Sequence, residues 1–503
     1  MIPAGRRLAV LAAAATLVHL AACAREPQAV LIRGAMLVDG TGAPARPADV
    51  RVVGPTIAEV GQLPPVSGDR IVDAAGLTLA PGFIDTHSHH DRGLAEEPAA
   101  LGAVSQGITT IVVGQDGGSA LPVAALFSRF EASPAAVNIA SYIGHGTLRR
   151  QVLGDEYQRA ATGEEVEKMR ELLRGEMTAG AFGLSTGLEY DPGIYSAPDE
   201  VIALAKDAAA MGGRYMSHIR SEDRDFWQAI EEVIRIGREA GLPVHVSHLK
   251  LAMRGLWGQS EKLIGALDRA RAEGVQLTAD IYPYTYWQSG ATVLFPKRDY
   301  TDKAEAALVL EQIVAPEGLL FTSYPPTPEY NGKTLAQIAG LRGTDPATTL
   351  LDLIRQAETA KAGTSVVATS MDERDVARLM QWPFANFCSD GALRGGHPRG
   401  YGAFPRVLGT YVRERGVLPL EEAVRKMTSL AAANAGLKER GTIAPGQFAD
   451  LVLFDPSTVA DRATTADPQA VSAGIRSVWV NGVLVFANGA ATGDRPGRVL
   501  RAR

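Results

Sequence analysis

From Leu77 to Asp390 the chain repeats one unit, a short apolar run followed by an amphipathic stretch of helical period, and this repetition limits the available folds more than any other feature. The runs are LTLAPGFIDTHSH, TTIVVGQD, VNIASYIGHG, AFGLSTG, RYMSHIR, PVHVSHL, VQLTADIYPY, SVVATS and FANFCSD. Strand-helix alternation of this kind leads to a parallel sheet covered by helices, as a closed barrel or a doubly wound open sheet. Nine runs compete for the eight places of a barrel, so one is expected to be irregular or to lie outside. One intervening helix is expected from about Ser221 to Ala240, with Phe226, Ile230, Val233 and Ile234 on one face and a stop at Gly241 and Pro243. The stretch 285–346, rich in Pro, Tyr and Thr, fits neither strand nor helix pattern and reads as an insertion, placed as a lid over a pocket.

Both flanks have another character. Residues 30–80 and 441–503 contain short alternating segments broken by Gly and Pro, such as ADVRVVGPTIAEVG and SVWVNGVLVFANG, which read as strands of one small domain built from the two ends. Ahead of them, Arg6 and Arg7 precede an apolar run from Leu8 to Ala22 that is too short to cross a bilayer and ends at Cys23. This reads as an export signal over 1–22. Leu20-Ala21-Ala22 resembles a lipobox, so cleavage before Cys23 and a lipid anchor there are expected, with 23–29 as linker and a periplasm-facing envelope location. The alternative is ordinary secretory cleavage near Ala22. Lys plus Arg total 50 against 56 for Asp plus Glu, a net charge of -6, so the chain has no cationic surplus for a phosphate backbone and nucleic acid is not an expected partner. With Cys23 lipidated, Cys388 has no partner for an intramolecular disulfide, and stability must come from the core.

The histidines carry the functional argument. His87 and His89 follow an apolar strand at a spacing of two, which puts both imidazoles on one face, while His90 points away. His218 ends RYMSH and His248 ends PVHVSH, one strand-helix-strand unit later, and Asp390 ends FANFCSD. Ligand-type side chains at the carboxyl ends of successive strands converge at the mouth of a barrel, where active sites of that fold lie. A metal site is therefore expected. His245 precedes His248 by an odd number and should face the other side. His145 and His397 follow strands and stand either in loop packing or at the border of the pocket.

At the level of whole motifs the chain resembles the amidohydrolase superfamily and, within it, the D-aminoacylase (N-acyl-D-amino-acid deacylase) family. The segments that carry the resemblance include PGFIDTHSH, YIGHGTLR, GLSTGLEYDPGIYS, SHIRSE, VSHLK, DIYPYT, HPRGYGAFPRVLG and GTIAPGQFADLVLFDP, spread over nearly all of the chain beyond the leader. It implies an α/β protein with a distorted (β/α)8 TIM barrel over 81–440, a small β-sandwich made by both terminal segments, and zinc-dependent hydrolysis of amide bonds. His87, His89 and Asp390 match the ligands of a weaker metal position, His218 and His248 those of a tighter one. Relatives usually carry Asn-Cys-Gly at the end of the second strand, the Cys serving as a ligand; this chain has Gln115-Asp116-Gly117. Asp116 is expected to ligate or bridge the metal, the alternative being that it only hydrogen-bonds a ligand. A carboxylate in place of a thiolate makes the site harder and lets manganese or another divalent ion compete with zinc, as one ion or two.

The resemblance further implies a small-molecule substrate with an amide and a free α-carboxylate. Candidate binders are Lys250, Tyr190, an arginine after Asp390 (Arg394 first, Arg399 second) and Ser289 in the altered Tyr286-Trp287-Gln288-Ser289 segment. Chemically, the site calls for hydrolysis by a metal-activated water, with Asp390 as the base that takes a proton and the acid that returns it to the leaving nitrogen. The expected reaction is deacylation of N-acyl-D-amino acids. A dipeptidase cleaving before a C-terminal D-residue is the nearest alternative. A cyclic-amide hydrolase is disfavoured because Ala181 to Gly187 contains no lysine to bridge two metals. A non-catalytic metal- or solute-binding lipoprotein would be expected to lack Asp390.

Overall fold

Eight short parallel strands enclose the centre of the molecule in the computed structural model, which describes residues 29–502. The leader, Cys23 included, lies outside the described residues. The strands are β1 (Phe83–Asp85), β2 (Ile108–Val113), β3 (Asn138–Ser141), β4 (Gly183–Gly187), β5 (Arg214–His218), β6 (Val244–Val246), β7 (Leu277–Ile281) and β8 (Ala385–Phe387). β1 to β3 form one parallel run and β4 to β8 another. The two runs meet at a bend in the third strand: Asn138–Ser141 pairs back with β2, and beyond Tyr142 the pair Ile143–Gly144 turns to β4. At the other seam, Asp390 N donates to His87 O and His89 N to Gly391 O, each at 2.8 Å, so the segments leaving β8 and β1 are joined. Every residue of β2 is buried, as required of strands with helices outside and packed side chains inside.

Helices follow the strands as the periodicity requires. The helix between β5 and β6 runs Phe226–Ala240, buries Phe226, Ile230, Val233 and Ile234, and ends at Gly241 with φ 69°. It starts later than the sequence pattern suggests because Ser221 Oγ accepts the backbone N–H groups of Asp223 and Asp225, a local turn that competes with helix. Ile230 is 1% exposed, and truncating it to Ala should cost about 2–5 kcal/mol, read as a lowered denaturation midpoint.

The surplus apolar run, SVVATS, is the one outside the barrel. Ser365–Thr369 pairs antiparallel with Tyr286–Ser289 and with Leu319–Ser323, and Lys333–Thr334 completes a four-stranded sheet. The segment between β7 and β8 is thus an ordered unit whose sheet reaches to Thr369, past the expected limit of 346. The terminal strands form a single nine-stranded sheet in which Leu451–Phe454 pairs with Thr78–Pro81, joining the two ends of the chain. That sheet wraps its own core, which includes Ile32, Val50, Leu79, Leu451 and Trp479.

Candidate metal centre and active site

The carboxyl ends of β1, β2, β5, β6 and β8 deliver the expected side chains to one place, and a polar layer beneath holds them there. Asp280 on β7 accepts from the His248 backbone N–H through Oδ1 and from Thr86 Oγ1 through Oδ2 at 3.0 Å. His245 Nε2 lies 3.0 Å from the same Oδ2, so His245 does not turn to the other side as the spacing suggested but belongs to the polar layer under His248; the strand ends at Val246, and alternation does not carry on to position 248. Burial acts against ionisation of Asp280, but His245 outweighs it and holds the carboxyl well below the usual range. Asp85 accepts from both the backbone N–H and the hydroxyl of Ser389, next to Asp390, and burial pushes its carboxyl up to about 6. Asp116, His248 and Asp390 all have positive φ (54°, 37° and 50°), strain that the surrounding bonds must offset at about 1–3 kcal/mol each. Two glycines give the loops room. A Cβ on Gly187 would lie 2.2 Å from Asp116 O, and one on Gly391 2.5 Å from Gly400 Cα, so the loops bearing Asp116 and Asp390 can pack only against glycine.

Among the described residues three groups of ligand-type atoms form: two share Asp116, and Glu189, His218 and Glu222 make the third. Of the first two, His87, His89, Asp116 and Asp390 form one, and Asp116, His218 and His248 the other, with the candidate ligand atoms of each group within 4.8 Å of one another. Asp116 Oδ1 is 3.3 Å from His87 Nε2 and 3.4 Å from His248 Nε2, while Oδ2 is 3.1 Å from His89 Nε2. Asp390 Oδ1 stands 3.6 Å from His87 Nε2 and 3.4 Å from His89 Nε2. Both nitrogens of His87 and Oδ1 of Asp116 are buried with no hydrogen-bond partner. Such orphaned atoms are costly unless a further species satisfies them, and an imidazole and carboxylate set this dense suits a divalent cation. The electrostatics agree. Burial acts to lower the pKa of His89 and to raise that of Asp116, yet the paired groups win: His89 is held up to about 9 by Asp116 and Asp390, and Asp116 is pulled well below its usual range by His87, His248 and His89. The cluster stabilises positive charge.

Two carboxylates that the sequence reading missed orient the histidines from outside. Glu189 Oε2 lies 2.8 Å from His218 Nε2, which leaves Nδ1 facing His248. Glu222 Oε1 lies 3.0 Å from His248 Nδ1 and also pairs with Lys250 Nζ. Carboxylates placed in this way fix the tautomer and ring angle of a ligating imidazole. Each follows a strand by a few residues, the same signal that singled out Asp390, but neither repeats at a regular spacing.

Beside the cluster opens a small pocket, and it separates the expected substrate residues. Tyr190, Lys250 and Ser289 line it; Tyr190 stacks on His218 with ring centroids 4.2 Å apart. Arg394 does not. Its exposed side chain pairs with Glu97, and Arg399 takes the place expected of it, buried in the wall with Nη1 2.6 Å from Asp390 Oδ2. The reason is local: Arg394 stands in the loop that leaves β8, whereas Arg399 begins the helix Arg399–Arg406, which the close approach of Gly391 and Gly400 pulls over the barrel mouth. Tyr282, also missed, lines the pocket with a buried hydroxyl that has no partner. His145 is a packing residue, bonded to Glu200 at 2.8 Å, and His397 is held by Tyr286 O at 2.9 Å behind the wall. His90 points away to Ser88 and Gly400 O. Cys388 is buried and does not join either ligand group.

This arrangement matches known proteins along almost its whole length. A model of the amidohydrolase family matches residues 70–316 and 331–486. The D-aminoacylase of Alcaligenes xylosoxydans xylosoxydans is 39% identical over 500 residues, 94% of this chain and 98% of that one. The N-acyl-D-glutamate deacylase of the same organism is 39% identical over 94% of this chain and 96% of its own length. Among solved structures, the N-acyl-D-glutamate deacylase of Bordetella bronchiseptica, complexed with zinc and a phosphonate inhibitor that mimics the tetrahedral intermediate of the reaction, superposes with a TM-score of 0.85 at 38% identity, covering 95% of this chain and all (100%) of that one. The chain therefore belongs to the amidohydrolase family and, within it, to the D-aminoacylases.

Proposed function

We propose that the protein hydrolyses the linear amide bond of N-acyl-D-amino acids, releasing a carboxylate and a D-amino acid. The observation that carries this reading is the meeting of six ligand-type side chains, His87, His89, Asp116, His218, His248 and Asp390, beside a pocket with buried Arg399 and Lys250 in its wall. The names of the relatives supply the D configuration. Zinc, or a competing divalent ion, held by the two groups that share Asp116 would polarise the amide carbonyl and lower the pKa of water towards about 7.

The chain's own residues do the rest. Asp390 is kept ionised because Arg399 and His87 outweigh the effect of burial, and its pair with Arg399 fixes Oδ2 so that Oδ1 faces the cluster. Oδ1 takes one proton as water adds to the carbonyl carbon and returns it to nitrogen as the C–N bond breaks, which an amide leaving group requires. Arg399 also binds the substrate α-carboxylate: its Nε and Nη1 are both buried without a hydrogen-bond partner, Nη1 standing 2.6 Å from Asp390 Oδ2 as an ion pair only. Tyr190, Ser289 and Lys250 complete that side. Arg399→Ala is expected to raise KM about 10- to 100-fold, the worth of a charged hydrogen bond, while Arg394→Ala leaves KM unchanged. Equal effects of the two variants in steady-state kinetics would return the assignment to Arg394.

The whole reading is tested by assaying paired D and L N-acyl amino acids, dipeptides and cyclic amides with zinc, with manganese and after chelation. Metal-dependent release of D-amino acids is the expected result, and hydrolysis of only cyclic amides would overturn it. Lys250 Nζ, tied to Glu222 and His248 Nδ1, offers no substitute for the lysine missing from β4. We also read residues 1–22 as an export signal and Cys23 as the lipid-bearing residue, supported by Arg6, Arg7 and the run before Cys23. The mass of the mature amino terminus tests this, an unmodified Cys23 counting against it.

A further inference from the structure

Two groups that the site depends on reach it from a loop rather than from a strand. β4 ends at Gly187, and the segment that leaves it carries Glu189, whose carboxylate holds His218 Nε2 at 2.8 Å, and Tyr190, whose ring centroid lies 4.2 Å from that of His218. Leu188 N donates to His218 O at 3.1 Å and ties the start of the segment to the end of β5. Past that point no strand register places Glu189 and Tyr190, so their positions depend on what grips the loop from outside.

Arg298 supplies that grip. It stands in the unit inserted between β7 and β8, 109 residues beyond Glu189 in the chain. Its Nη2 donates to Glu189 O at 2.9 Å and its Nε to Asp191 Oδ1 at 3.0 Å, so the guanidinium takes hold of the loop on both sides of Tyr190. Nη1 turns back to its own segment and donates to Phe295 O at 3.0 Å and Thr292 O at 3.3 Å. All three nitrogens are thus engaged through one planar fork, which the single ammonium of a lysine could not reproduce. The backbone is committed as well. Arg298 has φ 53°, in the left-handed region that a residue with a side chain rarely adopts, and its N–H donates to Phe295 O at 2.8 Å. Strain of this kind persists where the surroundings fix it, and it gathers at functional sites. Arg298 itself is not among the residues that line the pocket.

We infer that Arg298 is a positioning residue for the metal centre: it holds the β4 loop where Glu189 fixes the His218 ring and Tyr190 covers it, and so acts through them on the group of Asp116, His218 and His248. The inference rests on the metal-dependent reading above and assigns a further residue to it. A clamp that served the fold alone would raise stability without changing how tightly His218 binds an ion.

The test titrates the full-length, metal-stripped protein with zinc below its melting range. Arg298→Ala is expected to weaken binding at the position that includes His218 by at least about tenfold, as Glu189→Gln does, the scale of residues that orient a ligand. Because the two act along one route, the double variant should lie within about threefold of Glu189→Gln alone. Arg298→Lys keeps a charge beside Asp191 without the fork and is expected to lose at least about threefold, which answers the question if Arg298→Ala does not fold. Wild-type zinc affinity in a folded Arg298 variant, or losses that simply multiply in the double variant, overturn the inference. Zinc binding needs no substrate, so failure to hydrolyse N-acyl-D-amino acids would overturn the deacylase reading alone, and a wild-type chain that binds no zinc would overturn both.

Discussion

Asp390→Asn is expected to lower kcat by about 10²- to 10⁴-fold, the usual contribution of a positioned general acid-base, with a much smaller change in KM. The asparagine keeps the shape of the side chain and an oxygen that can face His87 and His89, but it cannot take up and return a proton. Binding should survive because the α-carboxylate is held by Arg399, Tyr190, Lys250 and Ser289, none of which is altered. Metal analysis of the variant separates loss of proton transfer from loss of a ligand: the group formed by Asp116, His218 and His248 does not contain Asp390 and should keep its ion. The variant is also expected to melt at a lower temperature, since Arg399 is buried and its ion pair at 2.6 Å becomes a contact with a neutral amide. Kinetics must be measured below that melting range. Full activity in Asp390→Asn would remove Asp390 from the chemistry.

The residues that sequence could find are those whose position follows from period alone. His87 and His89 both reach Asp116, and the 30-residue step from His218 to His248 matches one strand-helix-strand unit; both relations follow from backbone geometry, whereas His245, expected to face away, meets Asp280 beneath the site because the strand ends before His248. Sequence period fails where a loop decides. Arg394 follows Asp390 by fewer residues than Arg399 and so ranked first, yet the approach of Gly391 to Gly400 turns Arg399 inward to Asp390 while Arg394 turns outward to Glu97. SVVATS has the apolarity of a barrel strand because it is the central strand of another sheet, covered on both edges by Tyr286–Ser289 and Leu319–Ser323. Composition cannot tell one buried strand from another. Glu189, Glu222 and Asp280 were hidden for a different reason. A lone acidic residue past a strand is commonplace in sequence, and what marks these three is the imidazole or backbone N–H each one meets from a neighbouring strand.

Asp116→Ala should have a larger effect than loss of any single histidine, because Asp116 is the one residue common to both ligand groups. Its removal takes away the anion that faces His87 and His248 through Oδ1 and His89 through Oδ2, leaving three imidazoles around a space with one remaining carboxylate, Asp390. Bound metal is expected to fall by more than about 100-fold in affinity, beyond the 10- to 100-fold typical of residues that only orient a ligand, and activity should fall with it. Titrating the apo variant with zinc and with manganese reads this directly, and undiminished affinity would show that Asp116 is not a ligand. Asp116→Cys asks the complementary question. It puts at this position the thiolate that the family resemblance implies, and sulfur prefers zinc over the harder manganese ion. The ratio of zinc to manganese affinity should therefore rise in Asp116→Cys while total activity with zinc is retained, provided that the positive φ of 54° at this position is held by the packing of Gly117 and Gly187 around it. An unchanged ratio would mean that the oxygen donors of Asp116 do not set the metal preference, and that His87, His89, His218 and His248 alone determine which ion is bound.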